Sequence, residues 1–213
     1  MYTTDNLPSP SKLPNLIGIH GHAGSGKDTV AEFISTTYKD HYIESLAGPL
    51  KNAAAAAFGV ARELFDSPEL KEQNIPFWGV SPRKIAQFLG TEMFRDCTPK
   101  LIPDIESNFW ISRLELRLTN QYEPDDEGSY ESHHTVIIPD VRFQNEYNWV
   151  VDNGGIIIHL TRPGADGTVG IPSHQSEASI DLNTKERTYE CENNGTLTEL
   201  HRKIANILIA AKY

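Results

Sequence analysis

Leu16-Ile17-Gly18-Ile19-His20-Gly21-His22-Ala23-Gly24-Ser25-Gly26-Lys27-Asp28-Thr29 is the stretch that decides the fold. It opens with a short apolar run that ends in glycines, the pattern of a strand buried inside a parallel sheet. Gly21 to Lys27 then fits G-x-x-x-x-G-K, and residues 29–38 read as a helix with Val30, Ala31, Phe33 and Ile34 on its inner side. Strand, glycine-rich loop and helix in this order make a phosphate cradle. The glycines let the backbone wrap an anion with its N–H groups inward, the helix N-terminus lies behind, and the lysine reaches the terminal phosphates. Asp28 stands where Ser or Thr normally ligates magnesium. A carboxylate beside a triphosphate is tolerable only with a cation between them. Asp28 is therefore expected to face Mg²⁺, directly or through water, with Thr29 available for a phosphate or metal contact.

Outward from this stretch, strands and helices alternate. Residues 41–46 form a weaker strand candidate, and Gly48-Pro49 introduces an Ala-rich helix over 50–58 with Pro at its start. Ser81-Pro82 is a good helix start, and the helix is expected to run to Arg95. Ile85, Ala86, Leu89 and Met93 share one arc of it, while Arg83, Gln87 and Gly90 share another, suited to holding an anion. Residues 109–121 are amphipathic, 123–131 an acidic exposed loop, 135–138 and 156–161 strong strands flanking a helix that ends near Asn153-Gly154. Residues 188–192 are a last short strand and 197–211 a closing helix. This alternation predicts an α/β fold with a parallel sheet of about five strands covered by helices on both faces.

Composition narrows the function. The chain has 213 residues, long enough for one domain, and 19 basic against 29 acidic residues give a net charge of −10. A broad nucleic-acid-binding surface is thereby excluded, because it would need clustered Lys and Arg. An anionic small ligand needs only a local cationic pocket. Cys97 and Cys191 are too few for a disulfide scaffold and fit a reducing compartment. No apolar run approaches the ~20 residues of a membrane span. Residues 1–15, with Pro8, Pro10 and Pro14, read as a flexible lead-in without the apolar core of a signal peptide. A cytoplasmic protein follows, with no membrane or nucleic-acid partner.

Several blocks in order resemble the phage-type deoxynucleoside monophosphate kinases, a branch of the P-loop kinases. They are Gly24-Ser25-Gly26-Lys27-Asp28-Thr29, Leu46-Ala47-Gly48-Pro49-Leu50-Lys51, Leu89-Gly90-Thr91, Phe109-Trp110, Pro139-Asp140-Val141-Arg142 with Glu146, Arg162-Pro163-Gly164 and His174 to Glu177. The resemblance implies ATP- and Mg²⁺-dependent conversion of a dNMP to the dNDP, supplying DNA precursors during phage replication. It also implies an adenylate-kinase-like P-loop domain over 16–213, with an acceptor-binding helical region near 48–121, a lid over 162–187, host-cytoplasm localisation for a phage-encoded chain, and a homodimer as a family-based expectation.

Residue by residue, Gly21, Ala23, Gly24, Ser25, Gly26, Lys27, Asp28 and Thr29 are expected at ATP, with Asn194 and Gly195 as an adenine-contacting turn or simply a helix start. Leu50, Lys51, Arg83, Gly90, Thr91, Arg95, Trp110, Asp140, Arg142 and Glu146 are expected at the acceptor nucleotide. For Lys51, Arg83 and Arg95 the alternative is a solvated or structural cation. For Gly90 it is helix packing, for Trp110 plain core, and for Asp140 and Arg142 a structural ion pair. Asp140 is a further metal candidate through water, beside Asp28 and Thr29. Arg162 is expected to neutralise the transferring phosphate from a lid carrying Gly164, Gly167 and Gly170, or to sit on a plain surface loop. What His174 does there is open, and His133-His134 reads as solvated loop.

No catalytic base is needed, since a phosphate monoester with a second pKa near 6 is already ionised at neutral pH. Catalysis then rests on positioning and charge neutralisation by Lys27, Asp28 with its cation, Arg142 and Arg162. Two rivals stand beside this reading. One is a kinase for another phosphorylated small molecule, phosphomevalonate above all. The other is a nucleotide-binding switch, which would hydrolyse ATP slowly without an acceptor.

Overall fold

In the computed structural model, which describes residues 16–121, 134–165, 180–182 and 187–211, the alternation becomes one parallel sheet. Its strands are β1 (Leu16–His20), β2 (His41–Ile43), β3 (Thr135–Ile138), β4 (Ile156–Thr161) and β5 (Thr188–Glu192), in the order β2-β3-β1-β4-β5. Ile17 stands beside Ile137 on one side and Ile156 on the other, so β1 is central. Every neighbouring pair is parallel. The near-continuous Ile, Val and Leu runs follow from burial on both faces.

One face carries Ile17, Ile19, Ile137, Ile156, Ile158 and Leu160 against α1 (Lys27–Thr37) and α6 (Leu197–Ala210), which supply Val30, Phe33, Ile34, Leu200, Ile204 and Leu208. The other carries Leu16, Val136, Ile138 and Ile157. They pack on Tyr147 and Val150 of α5 (Gln144–Asp152), Leu50 of α2 (Ala47–Phe58), and Trp110 and Leu114 of α4 (Phe109–Gln121). A third cluster of Ala54, Ala55, Phe65, Ile75 and Ile85 holds together the helical region between β2 and α4, which includes α3 (Pro82–Gln87).

The direction in which the connections cross the sheet reverses between β1 and β3: β1 leads across β3 to β2, whereas β3 leads across β1 to β4. Ligands of open α/β sheets bind at such a switch point, beyond the carboxyl ends of the strands. The loops after β1 and β3 therefore define where the site must lie.

Three expected elements differ in extent: the strand expected over 41–46 is only His41–Ile43. α2 starts at Ala47 rather than near Leu50, for a reason given below. The helix expected over 82–95 is α-helical only to Gln87 and continues as a π-helical coil over Phe88–Cys97. Such wide turns cluster at functional sites. The lead-in 1–15, the loop 123–131, His133 and the lid from Gly167 through Glu177 lie outside the described residues.

Candidate active site

The loop after β1 has the backbone its glycines predict. Gly21, Gly24 and Gly26 take φ of 153°, 81° and 103°, values that side chains disfavour. A Cβ on Gly21 would also lie 2.2 Å from the Leu160 carbonyl oxygen of β4. Lys27 opens α1 and donates to the carbonyls of Gly21 at 2.6 Å and His22 at 2.8 Å. A residue outside the motif props this loop. Asn193, just past β5, donates from Nδ2 to the Ser25 carbonyl at 2.9 Å.

The end of β1 is tied to the loop after β3. His20 Nδ1 donates to the Val141 carbonyl at 3.0 Å. Burial, with His159, Lys27 and His22 nearby, holds the His20 pKa at about 4 although the bond to Val141 raises it. The ring is therefore neutral at physiological pH and adds no second charge beneath Lys27.

Asp140 has a different partner from the one expected of an Asp140–Arg142 ion pair. Its carboxylate accepts from Ser45 Oγ at 2.7 Å, Leu46 N at 2.9 Å and Ala47 N at 2.7 Å. Ser45 Oγ in turn accepts from Gly48 N at 3.0 Å. The orphan amides that begin α2 are thus capped from the loop after β3, which is why the helix starts before Pro49.

Glu146 does the same work locally. Its Oε2 accepts from the backbone N–H of Arg142 at 2.7 Å and Phe143 at 3.0 Å, shaping the turn into α5. Burial raises its pKa to about 7, against the lowering effect of those two bonds; Asp140 adds to the rise and Arg95 opposes it. The folded state therefore keeps a proton that the unfolded chain releases above its ordinary value near 4.5. Stability should fall as pH rises from about 4.5 to 7, by on the order of 3 kcal/mol, and level off above. Glu146→Gln keeps the two acceptor contacts and should flatten that stretch of a Tm-against-pH curve; an unchanged slope would remove Glu146 as its source.

Between the phosphate loop, the β3 loop and the helical region lies a cleft of about 460 Å³. It gathers Ala23, Gly24, Lys27, Asp28, Leu50, Lys51, Arg83, Gly90, Thr91, Trp110, Asp140, Arg142 and Glu146, all of them expected from the sequence. Gly21, Ser25 and Gly26 frame the loop behind it. Thr29 is exposed in the first turn of α1 and does not line this cleft, and neither does Arg162, exposed at the end of β4. Asn194 and Gly195 lie beyond Asn193: Asn194 bonds Glu192 and Lys203, and Glu199 fills the space beside Gly195.

Three expectations change in detail. Arg95 does not enter the cleft; its guanidinium lies 3.7 Å over the Phe143 ring. The close approach at Gly90 is made by Leu50, whose Cδ2 would lie 2.7 Å from an added Cβ, so helix packing accounts for the glycine. Trp110 is 9% exposed, packs with Phe94 and Phe109, and spends its indole N–H on the Gly90 carbonyl at 3.0 Å. It forms the apolar wall of the cleft.

Two cleft cations absent from the motif blocks complete the site. Arg62 and Lys51 share Asp66, the latter at 3.0 Å, and Arg83 pairs with Glu72 at 2.5 Å. Lys71 has no ion pair among the described residues. Burial, then Arg83 and Lys51, push its ammonium below the usual lysine range, while Glu72 and Asp28 pull the other way. A half-buried cation surrounded by cations and facing the Asp28 side of the phosphate loop is arranged to receive an anion.

Magnesium fits this donor set. Asp28 is an exposed carboxylate on the cleft, and Asp140, with three of its acceptor sites used, can still take a water. One or two carboxylates plus phosphate oxygens and water is how this hard ion binds. Among the described residues no group of three or more His, Cys, Asp or Glu could hold a metal by itself.

The deoxynucleotide monophosphate kinase family model matches residues 74–204. A protein of Acanthamoeba polyphaga mimivirus named for the same activity is 33% identical over 192 residues, covering 89% of this chain and 93% of its own. The deoxynucleotide monophosphate kinase of Enterobacteria phage T4 is 24% identical over 256 residues, covering 91% and 98%. Among solved structures, TT1252 from Thermus thermophilus shares the fold, with a TM-score of 0.50 and 18% identity over 95% of this chain and 100% of its own. Among the described residues no helix is long and apolar enough to cross a membrane.

Proposed function

The chain belongs to the deoxynucleotide monophosphate kinase family, and from that premise we propose how its cleft divides the work of moving the terminal phosphate of ATP to a deoxynucleoside 5′-monophosphate. The observation that carries the reading is the cluster of Lys51, Lys71 and Arg83 facing the Lys27–Asp28 end of the phosphate loop across one cleft. Two polyanions must meet in line there. The loop amides and Lys27 hold the donor, while Lys71, Arg83 and Lys51 take the acceptor's phosphate. Arg142, at the β3 loop between them, steadies the charge on the group in transfer, and Arg162, exposed just past β4, is assigned the same task. Asp28 would hold Mg²⁺, with Thr29 beside it and Asp140 reaching it through water; when bound, that ion neutralises part of the phosphate charge. No side chain need remove a proton, because the acceptor oxygen is already ionised.

The nucleotide reading is preferred to the phosphomevalonate and switch alternatives because the family model matches residues 74–204, which carry Arg83, Gly90, Trp110 and Arg142 of the acceptor side and lie wholly beyond the phosphate loop. The product would feed DNA precursor supply, in a host cytoplasm if the gene is viral. The test is ADP release with ATP and Mg²⁺ on adding dAMP, dCMP, dGMP, dTMP or phosphomevalonate singly. Stimulation by at least one dNMP is expected, and stimulation by phosphomevalonate alone would overturn the reading.

Lys71→Ala should raise KM for the dNMP about ten- to a hundredfold, the worth of one charge-assisted phosphate contact, and leave KM for ATP within about twofold. An effect confined to ATP would move Lys71 to the donor side.

A further inference from the structure

The Gly26 carbonyl of the phosphate loop accepts from the Val30 N–H at 3.0 Å and so belongs to α1. The Ser25 carbonyl, one residue earlier, is held from outside the loop. It accepts from Asn193 Nδ2 at 2.9 Å, across 168 residues of chain. Gly26 makes room for that side chain: its φ is 103°, and a Cβ there would lie 2.8 Å from Asn193 Nδ2. Asn193 is itself fixed in place. Its backbone N–H donates to the Thr161 carbonyl at the end of β4 at 2.7 Å. On either side of it, Lys203 of α6 donates to the Glu192 carbonyl at 2.6 Å and to Asn194 Oδ1 at 2.9 Å. The Asn193 amide thus reaches the loop from a strand end braced by a helix.

The geometry of the peptide bond turns this prop into an aim. The Ser25–Gly26 peptide is trans, and in a trans peptide the carbonyl and the N–H point in opposite directions. Holding the Ser25 carbonyl towards Asn193 therefore aims the Gly26 N–H away from it. Among the described residues no acceptor takes that N–H. Glycine lets a peptide turn over at small steric cost, so an unanchored Ser25–Gly26 unit has two orientations. One offers an anion a donor. The other offers it a carbonyl oxygen, which repels it.

We propose that Asn193 is a positioning residue for the donor nucleotide, locking the Ser25–Gly26 peptide so that the Gly26 N–H points at the phosphates that ATP and ADP share; this rests on the kinase reading above. Asn193 touches no nucleotide in this role and acts through Gly26. Those phosphates are present before, during and after transfer, so the contact adds binding that is uniform along the reaction.

The test is the affinity of ADP and of inorganic pyrophosphate by calorimetry with Mg²⁺, beside kcat, KM for ATP and dNMP, and Tm, in the wild type, Asn193→Ala and Asn193→Asp. Asn193→Ala should weaken ATP, ADP and pyrophosphate alike by about ten- to a hundredfold, the worth of one charge-assisted contact. Its kcat at saturating ATP should stay within about threefold, and its KM for the dNMP within about twofold. Asn193→Asp should bind more weakly still, because its carboxylate faces the Ser25 carbonyl and favours the overturned peptide. The Gly26 amide proton gives a signal that a plain structural prop would not move. In ¹⁵N-labelled wild type it should shift downfield on adding ADP or pyrophosphate, and much less in Asn193→Ala. A loss of ADP binding with pyrophosphate unaffected would make Asn193 part of an adenine site and overturns the proposal. So does a fall in kcat at unchanged KM for ATP, or a lowered Tm with ATP and dNMP weakened equally. A wild-type Gly26 amide that ignores both ligands overturns it without any variant. No ADP release with any dNMP, beside a normal Gly26 response to ADP, would defeat the kinase reading alone and leave Asn193 in its role.

Discussion

Lys27→Ala is expected to lower kcat by about a thousandfold or more, the scale on which a single preorganised charge acts in transfer reactions, while Tm moves little. Both halves follow from where the ammonium sits. It bonds the Gly21 carbonyl at 2.6 Å, partly buried, and the His22 carbonyl at 2.8 Å, at the surface, contacts worth roughly 1 kcal/mol each. The loop itself is held by Asn193 and by the tight fit of Gly21 under Leu160, which the substitution leaves alone. The ammonium's larger value lies in the charge that builds up during transfer. Lys27→Arg should not restore the rate, because a planar fork cannot take the place of a compact point charge at the end of a flexible stem. Single-turnover rates with saturating ATP and dNMP, beside a thermal melt, separate the two halves. A near-wild-type rate would remove the loop from the chemistry, and a Tm lower by many degrees would give Lys27 a structural role instead.

The sheet was legible because its signal is local. β1, β3 and β4 are four to six residues of near-continuous Ile, Val and Leu, and burial on both faces asks for little else. The phosphate loop was legible for the same reason: a few consecutive residues fix its backbone. Boundaries were less so where the deciding group is far along the chain. α2 begins at Ala47 because Asp140, more than ninety residues later, caps it, and nothing near residue 47 announces that partner.

The cleft divides along the same line. Arg83 and Gln87 share a helical arc that periodicity exposes, yet that the Gln87 amide is left without a partner is a property of the packed structure alone. Lys71 lies in a short turn, Leu70–Glu72, without periodic neighbours, so only the fold brings it opposite Asp28. Gly90 lines the cleft, but its glycine answers to packing. Its missing side chain makes room for Leu50, a packing contact across forty residues of chain.

Asp140→Ala should cost about 2–4 kcal/mol, since it strips a carboxylate from three donors at a helix start. For a domain of this size that is a fall in Tm of roughly 5–15 °C. Asp140→Asn should recover little of it. Its oxygen can still accept, but its NH₂ would face a donor from Ser45, Leu46 or Ala47 that it cannot satisfy. Activity should drop in step, because α2 carries Leu50 and Lys51 into the cleft and a loosened start misplaces both. A carboxylate acting chiefly on the metal predicts the reverse. It would leave Tm unchanged and move the magnesium concentration needed for half-maximal rate. Asp28 supplies the control, since it is exposed in the first turn of α1 and Asp28→Asn should shift the magnesium requirement with little effect on Tm. Asp140 variants that instead shift the requirement as far as Asp28→Asn, at wild-type Tm, would move Asp140 from the scaffold into the chemistry and leave the early start of α2 to Ser45 alone.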